Sequence, residues 1–185
     1  MRTVTAGCEL RATLAQLPTG VVIITAATAG GAPLGMTMNS FVSVSLDPPL
    51  VSFCIDRRSL GLAAWVTVPG YAINVLSVTQ TEIANRFARP SPDKWHGVEA
   101  ARGLHGAPLL EGVVARLECT AQERIDAGDH VIFVGRVDRH SAAQELAALV
   151  FHRGRFAQVA SLPGDSPAAE FATAEFAGWP LAMHY

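Results

Sequence analysis

Short apolar runs separated by glycine and proline set the rhythm of this chain, as expected where many strands are joined by tight turns. Val21 to Thr25 is a β-branched run closed by Gly30-Gly31, after which Pro33 to Met38 returns as the second strand of a hairpin. Further strands are expected over Phe41 to Val44, Leu50 to Ile55, Tyr71 to Leu76, Val113 to Ile125 and His130 to Val137. The pattern is cleanest in Val113 to Ile125. There Val113, Ala115, Leu117, Cys119 and Ala121 share one face while Arg116, Glu118, Thr120 and Gln122 share the other, the period-two alternation of a half-buried antiparallel strand. Ala127-Gly128-Asp129 turns that strand into the next.

Helical patterning is briefer. Ser59 is placed to cap a helix over Leu60 to Val66 that ends near Pro69-Gly70, and Thr79-Gln80-Thr81-Glu82 reads as a capping box for a helix through Ala88. Helices are also expected over Glu9 to Leu17 and over Ala142 to Leu149. The segment Leu162 to Pro167 has linker composition, and the tail beyond it carries Phe171, Phe176 and Trp179. Such a tail is too apolar to stay in water, so it is expected to dock on the domain or on a partner subunit.

Composition narrows the possibilities. With 185 residues the chain fits one domain, 1–161, plus the extension 162–185, and its hydrophobic share of 50% against 16% charged suffices for a sizeable core. Fourteen Lys and Arg against 16 Asp and Glu, in no basic run, argue against nucleic acid and anionic membranes as partners. The three widely spaced cysteines fit neither a disulfide framework nor a thiolate metal site, and with no signal-like or membrane-spanning stretch they point to the cytoplasm. No dinucleotide G-x-G-x-x-G, Walker loop, H-E-x-x-H or G-x-S-x-G occurs, and the six histidines never take ligand spacing, so no metal site is expected.

Other words carry chemistry. They are Leu17 to Gly20, the run from Gly35 through Thr37-Met38-Asn39-Ser40 to Leu50, and Cys54-Ile55-Asp56-Arg57-Arg58-Ser59. Ala72 to Leu76, Arg86-Phe87-Ala88, Asp93-Lys94-Trp95, Gly128-Asp129-His130 and Phe151 to Phe156 follow in order. From about Leu17 to Ala160 the chain resembles the short-chain flavin reductase family, the FMN-binding split-barrel reductases that supply reduced flavin to two-component monooxygenases. The resemblance implies a mainly β fold with flanking helices, a Greek-key split barrel, and a homodimer holding FMN or FAD near the subunit interface. It also implies NADH or NADPH as the hydride donor.

The residues themselves fit that placement. A flavin edge needs hydrogen-bonding partners, and Thr37, Met38, Asn39 and Ser40 offer an extended polar segment, although Asn39 and Ser40 would equally serve as a turn between strands. Cys54, Ile55 and Asp56 end a strand where the family contacts flavin, through backbone. Arg57, Arg58 and Ser59 precede a helix and suit a phosphate, most firmly Ser59 and, of the two arginines, Arg58; a cap with two solvated arginines is the plain alternative. Phe87 is expected on the flavin or in the core, and Arg86 at the phosphate or at a helix end. By the resemblance, His130 borders the nicotinamide and positions it. His152, Arg153 and Gly154 face the dinucleotide's phosphates, Gly154 permitting close backbone approach. His96, His105, His140 and His184 are left to surface or packing. Besides a reductase that releases flavin, the same pattern admits a flavoprotein with tightly bound FMN serving a corrin, ferric chelate or quinone, or a non-catalytic flavin carrier.

Overall fold

The computed structural model describes residues 4–91, 93–143 and 145–160, so the linker and the aromatic tail, with their expected docking, lie outside the described residues. Helix α1 (Val4–Leu14) leads into a seven-stranded antiparallel sheet. Its members are β2 (Val22–Ala27), β3 (Pro33–Met38), β4 (Val42–Leu46), β5 (Pro49–Asp56), β6 (Gly70–Val75), β9 (Ala115–Ala127) and β10 (His130–Ala142), ordered β3-β2-β6-β9-β10-β5-β4. A small sheet joins β1 (Thr19–Gly20) to β11 (Leu149–His152) and β12 (Arg155–Gln158), and a short pair joins β7 (Ala100–Arg102) to β8 (Pro108–Leu110). Helices α2 (Leu62–Trp65) and α3 (Thr81–Ala88) flank the sheet. This is the mainly β architecture with flanking helices that the patterning predicts.

The core follows from the period-two alternation. Val22, Ile24 and Ala26 of β2, Val51, Phe53 and Ile55 of β5, and Val131 and Phe133 of β10 meet inside the curled sheet with Tyr71 and Trp65. Phe53 stacks on Phe133 at 5.2 Å between centroids and meets Tyr71 edge-on at 5.0 Å. On the other face of β2, Val21 and Ile23 pack with Leu76, Ala84, Phe87, Leu110 and Leu149. Burial on both faces is why Val21 to Thr25 reads as a continuous apolar run rather than an alternating one.

β3 and β4 are consecutive in the chain yet form the two outer strands of the large sheet. The sheet must therefore curl until residues 39–41 can span its edges. Ser40 fastens that seam. Its hydroxyl donates to the Cys54 carbonyl (3.3 Å) and accepts from the Cys54 N–H (3.0 Å), replacing a rung of backbone ladder.

Several local expectations are corrected. Among the described residues of Ala142 to Leu149 no helix forms: β10 stays paired with β9 as far as Ala142, Ala148 bridges Ser77, and the Leu149 N–H donates to the Leu76 carbonyl (2.8 Å). Strand pairing overrides the helix propensity of an alanine-rich stretch. α2 is shorter than Leu60 to Val66. Its N-cap is Gly61 without a side-chain cap, and Ser59 contributes a carbonyl to the Leu62 N–H (3.0 Å). The capping box is formed by Ser77 and Gln80 on the 3-10 turn Val78–Gln80 that precedes α3, not by Thr79 and Glu82. α1 begins and ends earlier than Glu9 to Leu17. Among the described residues, no helix is long and apolar enough to cross a membrane.

Candidate functional site

Strand β3 pairs with β2 alone, so its other edge carries no strand. The Gly35 carbonyl points outward there and accepts from Lys94 Nζ (3.2 Å), and by the two-residue period the Thr37 N–H and C=O face the same way. The Thr37 hydroxyl turns aside to donate to Ala84 of α3 (2.7 Å), leaving its backbone to serve a ligand. Against this edge runs a groove of about 760 Å³, within the range of small-molecule sites. Its opposite wall is Arg58, Ser59, Leu60, Gly61 and Trp65, and its end is closed by Phe87 to Ser91 with Lys94 and Trp95.

Close packing shapes the groove floor. Phe87 and Trp95 meet edge-on at 4.8 Å, and a Cβ on Gly35 would lie 2.3 Å from Phe87 Cε1 and 2.9 Å from Trp95. Only glycine lets β3 approach these rings. Lys94 donates also to the Phe87 carbonyl (3.3 Å), which leaves its third ammonium proton for a ligand, and partial burial lowers its pKa. The Trp95 indole N–H is buried without an acceptor among the described residues.

At the groove mouth the two oxygens of Asp56 clasp Arg58: Nε to Oδ1 at 3.1 Å, Nη2 to Oδ2 at 2.7 Å, with the Arg58 N–H also on Oδ1 (2.8 Å). The guanidinium holds the Asp56 carboxyl well below the usual carboxylate range. Arg58 itself is 79% exposed. His130 opens β10 directly across from Asp56 in register, and its Nδ1 lies 2.7 Å from Asp129 Oδ1, which lowers the Asp129 pKa. Arg57 turns away to the Gly128 carbonyl (3.1 Å) and to Asp126.

Of the residues expected at a flavin site, Thr37, Arg58, Ser59 and Phe87 share this groove. Met38 points into the core beside it. Asn39 donates to Thr19 Oγ1 (3.2 Å), and the hydroxyl of Ser40 is committed to Cys54, so both also serve the β3–β4 connection as the plainer reading anticipates. Ile55 is buried in the core, while Cys54, whose thiol burial pushes up, is half-buried. Arg86 stands elsewhere: it donates to the His96 carbonyl (3.0 Å) and lines a separate hollow of about 340 Å³ with Glu82, Glu99 and Glu111.

His152, Arg153 and Gly154 form another neighbourhood. Arg153 and Gly154, with φ of 49° and 76°, are the two-residue loop between β11 and β12, a left-handed turn for which glycine is suited. His152 Nε2 donates to the Gln16 carbonyl (3.2 Å) and Arg153 Nε to Gln16 Oε1 (2.8 Å), docking the hairpin on the chain after α1. Within one protomer these residues share no lining residue with the groove. Conversely, the sequence reading assigns no role to Lys94, Trp95, Arg89, Ser91 or Trp65, which line it. The word Asp93-Lys94-Trp95 is the signal that could have found Lys94 and Trp95. Among the described residues no group of three or more His, Cys, Asp or Glu is arranged to hold a metal.

Comparison with known proteins completes the picture. Residues 14–160 match the flavin reductase like domain. The actinorhodin polyketide dimerase of Streptomyces coelicolor is 41% identical over 160 residues, covering 86% of this chain and 90% of that protein. The reductase component of the flavin-dependent trigonelline monooxygenase of Acinetobacter baylyi is 38% identical over 148 residues, 80% of this chain but 47% of that protein, so the chain spans about half of that relative's length. The solved NADH:FAD oxidoreductase of Streptomyces globisporus superposes with a TM-score of 0.80 at 35% identity, covering 87% of this chain and 98% of that one. Its complex with NAD and FAD fragments superposes at 0.79. The shared architecture agrees with the split barrel that the sequence words imply, and a match running through every strand of the curled sheet means that the chain belongs to the flavin reductase-like family.

Proposed function

We propose that the chain is an NADH-dependent flavin reductase that passes a hydride from the nicotinamide to FMN or FAD and releases the reduced flavin to a separate monooxygenase. The observation that carries this reading is the groove in which a free strand edge faces an aromatic wall and three cations, Arg58, Arg89 and Lys94. That donor set fits a flavin: outward N–H and C=O groups of β3 for the ring's polar edge, and cations for an anionic phosphate. When bound, the flavin supplies the two-electron acceptor. The chain's own work is to hold the two rings in reach of each other and to keep water from between them.

In this reading Thr37 contributes its backbone to the ring edge, Ser59 and Arg58 take the phosphate with Lys94 behind it, and His130 positions the nicotinamide from beside Asp56. A homodimer accounts for His152, Arg153 and Gly154, since the hairpin of one protomer is then free to face the groove of the other. Anaerobic mixing of the full chain with NADH and excess FMN, followed by the visible absorbance of oxidised flavin, tests the proposal. Turnover of the excess supports it. Reduction of a single bound equivalent would favour a dedicated acceptor, and no reduction would favour a carrier.

A further inference from the structure

Three cations line the groove, and they are not alike. Arg58 carries its own counter-charge in Asp56, 2.7 Å away, and stands 79% exposed. Arg89 is exposed too, so water solvates its charge. Lys94 has neither remedy. It is half-buried, it forms no ion pair among the described residues, and its ammonium is held by neutral groups alone. These are the carbonyls of Gly35 (3.2 Å) and Phe87 (3.3 Å) and the face of the Phe87 ring, 5.9 Å to its centroid. A cation withdrawn from water without an anion is costly, and burial lowers the Lys94 pKa. Such a group gains from any negative charge brought to it.

Position says which charge. Lys94 sits on Gly35, two residue steps along β3 from Thr37, about 7 Å of strand. It therefore belongs to the wall that offers N–H and C=O groups to a ring edge, whereas Arg58 and Ser59 stand on the opposite wall. A flavin phosphate is charged before and after the reaction and is already served there. Hydride transfer creates a further charge. NADH gives up two electrons with a hydrogen nucleus, and its nicotinamide ring becomes cationic; the flavin takes them at N5 and becomes an anion, its charge shared by N1 and O2 on the polar edge of the ring. A fixed cation beside that edge favours the reduced ring, and the transition state leading to it, over the oxidised one.

We propose that Lys94 is the counter-charge for the reduced flavin ring, so that through this one ammonium the groove holds reduced flavin more tightly than oxidised flavin. The proposal rests on the flavin reductase reading above, and it makes the ring rather than the phosphate the group that Lys94 serves.

Riboflavin, which carries no phosphate, is the probe. Its dissociation constant from the full chain is measured in the oxidised state by fluorescence, and its midpoint potential with excess protein is read anaerobically against an indicator dye. Together these give the affinity of the reduced state. Lys94→Gln keeps a donor for the Gly35 carbonyl but loses the charge. It is expected to weaken binding of reduced riboflavin roughly tenfold, one charge-assisted contact, which lowers the potential by about 30 mV for a two-electron couple, while the oxidised state is bound as before. Lys94→Arg is expected to keep the potential of the parent. An unchanged potential in Lys94→Gln would overturn the proposal, and so would a loss confined to FMN, because Lys94 would then serve the phosphate. The unaltered protein decides the matter even if the variant fails to fold: bound riboflavin should sit at a higher potential than free riboflavin, and an equal or lower value would reject the assignment. Failure of the parent to oxidise NADH with excess FMN would instead strike down the reductase reading itself, whatever the potentials.

Discussion

Arg58 reaches the groove on a tether, and the tether is what makes its position useful. A free arginine samples many rotamers, whereas one gripped by both oxygens of Asp56 presents its remaining N–H groups in a fixed fork. Asp56 is held below the carboxylate norm of 3.8, so as pH falls through that value it remains ionised and the grip persists until more acid conditions. If the guanidinium takes the flavin phosphate, Arg58→Ala should raise the KM for FMN roughly tenfold and leave riboflavin, which has no phosphate, unaffected. An equal rise for both flavins would exclude the assignment. Arg58 and Ser59 could be read as an anion site because they are adjacent and precede a turn. Lys94 could not, because what gives it a role is the Gly35 carbonyl 59 residues away.

At the scale of elements, β3 and α3 are fitted to each other through one missing side chain. Gly35→Ala would drive a methyl group into Phe87 and Trp95 and should cost about 1–3 kcal/mol by overpacking, measured as a lowered denaturant midpoint at unchanged slope. A midpoint as high as the parent's would mean that the rings have room to give. The hairpins of β2 with β3 and β9 with β10 were legible in the sequence, since Gly31 and Gly128 adopt left-handed turns (φ 79° and 62°) that local chemistry dictates. Ala142 to Leu149 misleads because alanine favours helix in isolation, while its actual partners, Ala115 and Ser77, lie far away along the chain. The same limit applies to Ser40, whose hydroxyl belongs to Cys54 on a strand that sequence cannot align with it.

Over the whole molecule, two apolar stripes face outward. Leu10, Leu14 and Leu17 are 59%, 62% and 66% exposed, and Val42, Val44 and Leu46 on the outer strand β4 are 56%, 51% and 72% exposed. A sheet edge bearing such a stripe is a liability for a lone copy. The proposed homodimer gives both stripes a means of cover. Sedimentation should therefore report about 39 kDa, twice the 19.5 kDa chain, and Leu46→Glu should shift the population toward single copies. A parent protein that sediments at the mass of one chain would dismiss the dimer.

One feature of the groove mouth bears on how such a protein spends its time. The Asp56–Arg58 clasp stands largely in solvent rather than in the interior, and attractions between hydrated charges fade within a Debye length of about 8 Å at physiological ionic strength. The clasp itself, closed at 2.7 Å, lies well inside that length and holds. What dissolved salt weakens is the pull of the exposed guanidinium on an approaching anion, so if Arg58 takes the flavin phosphate, brine should hasten the flavin's departure and dilute buffer delay it.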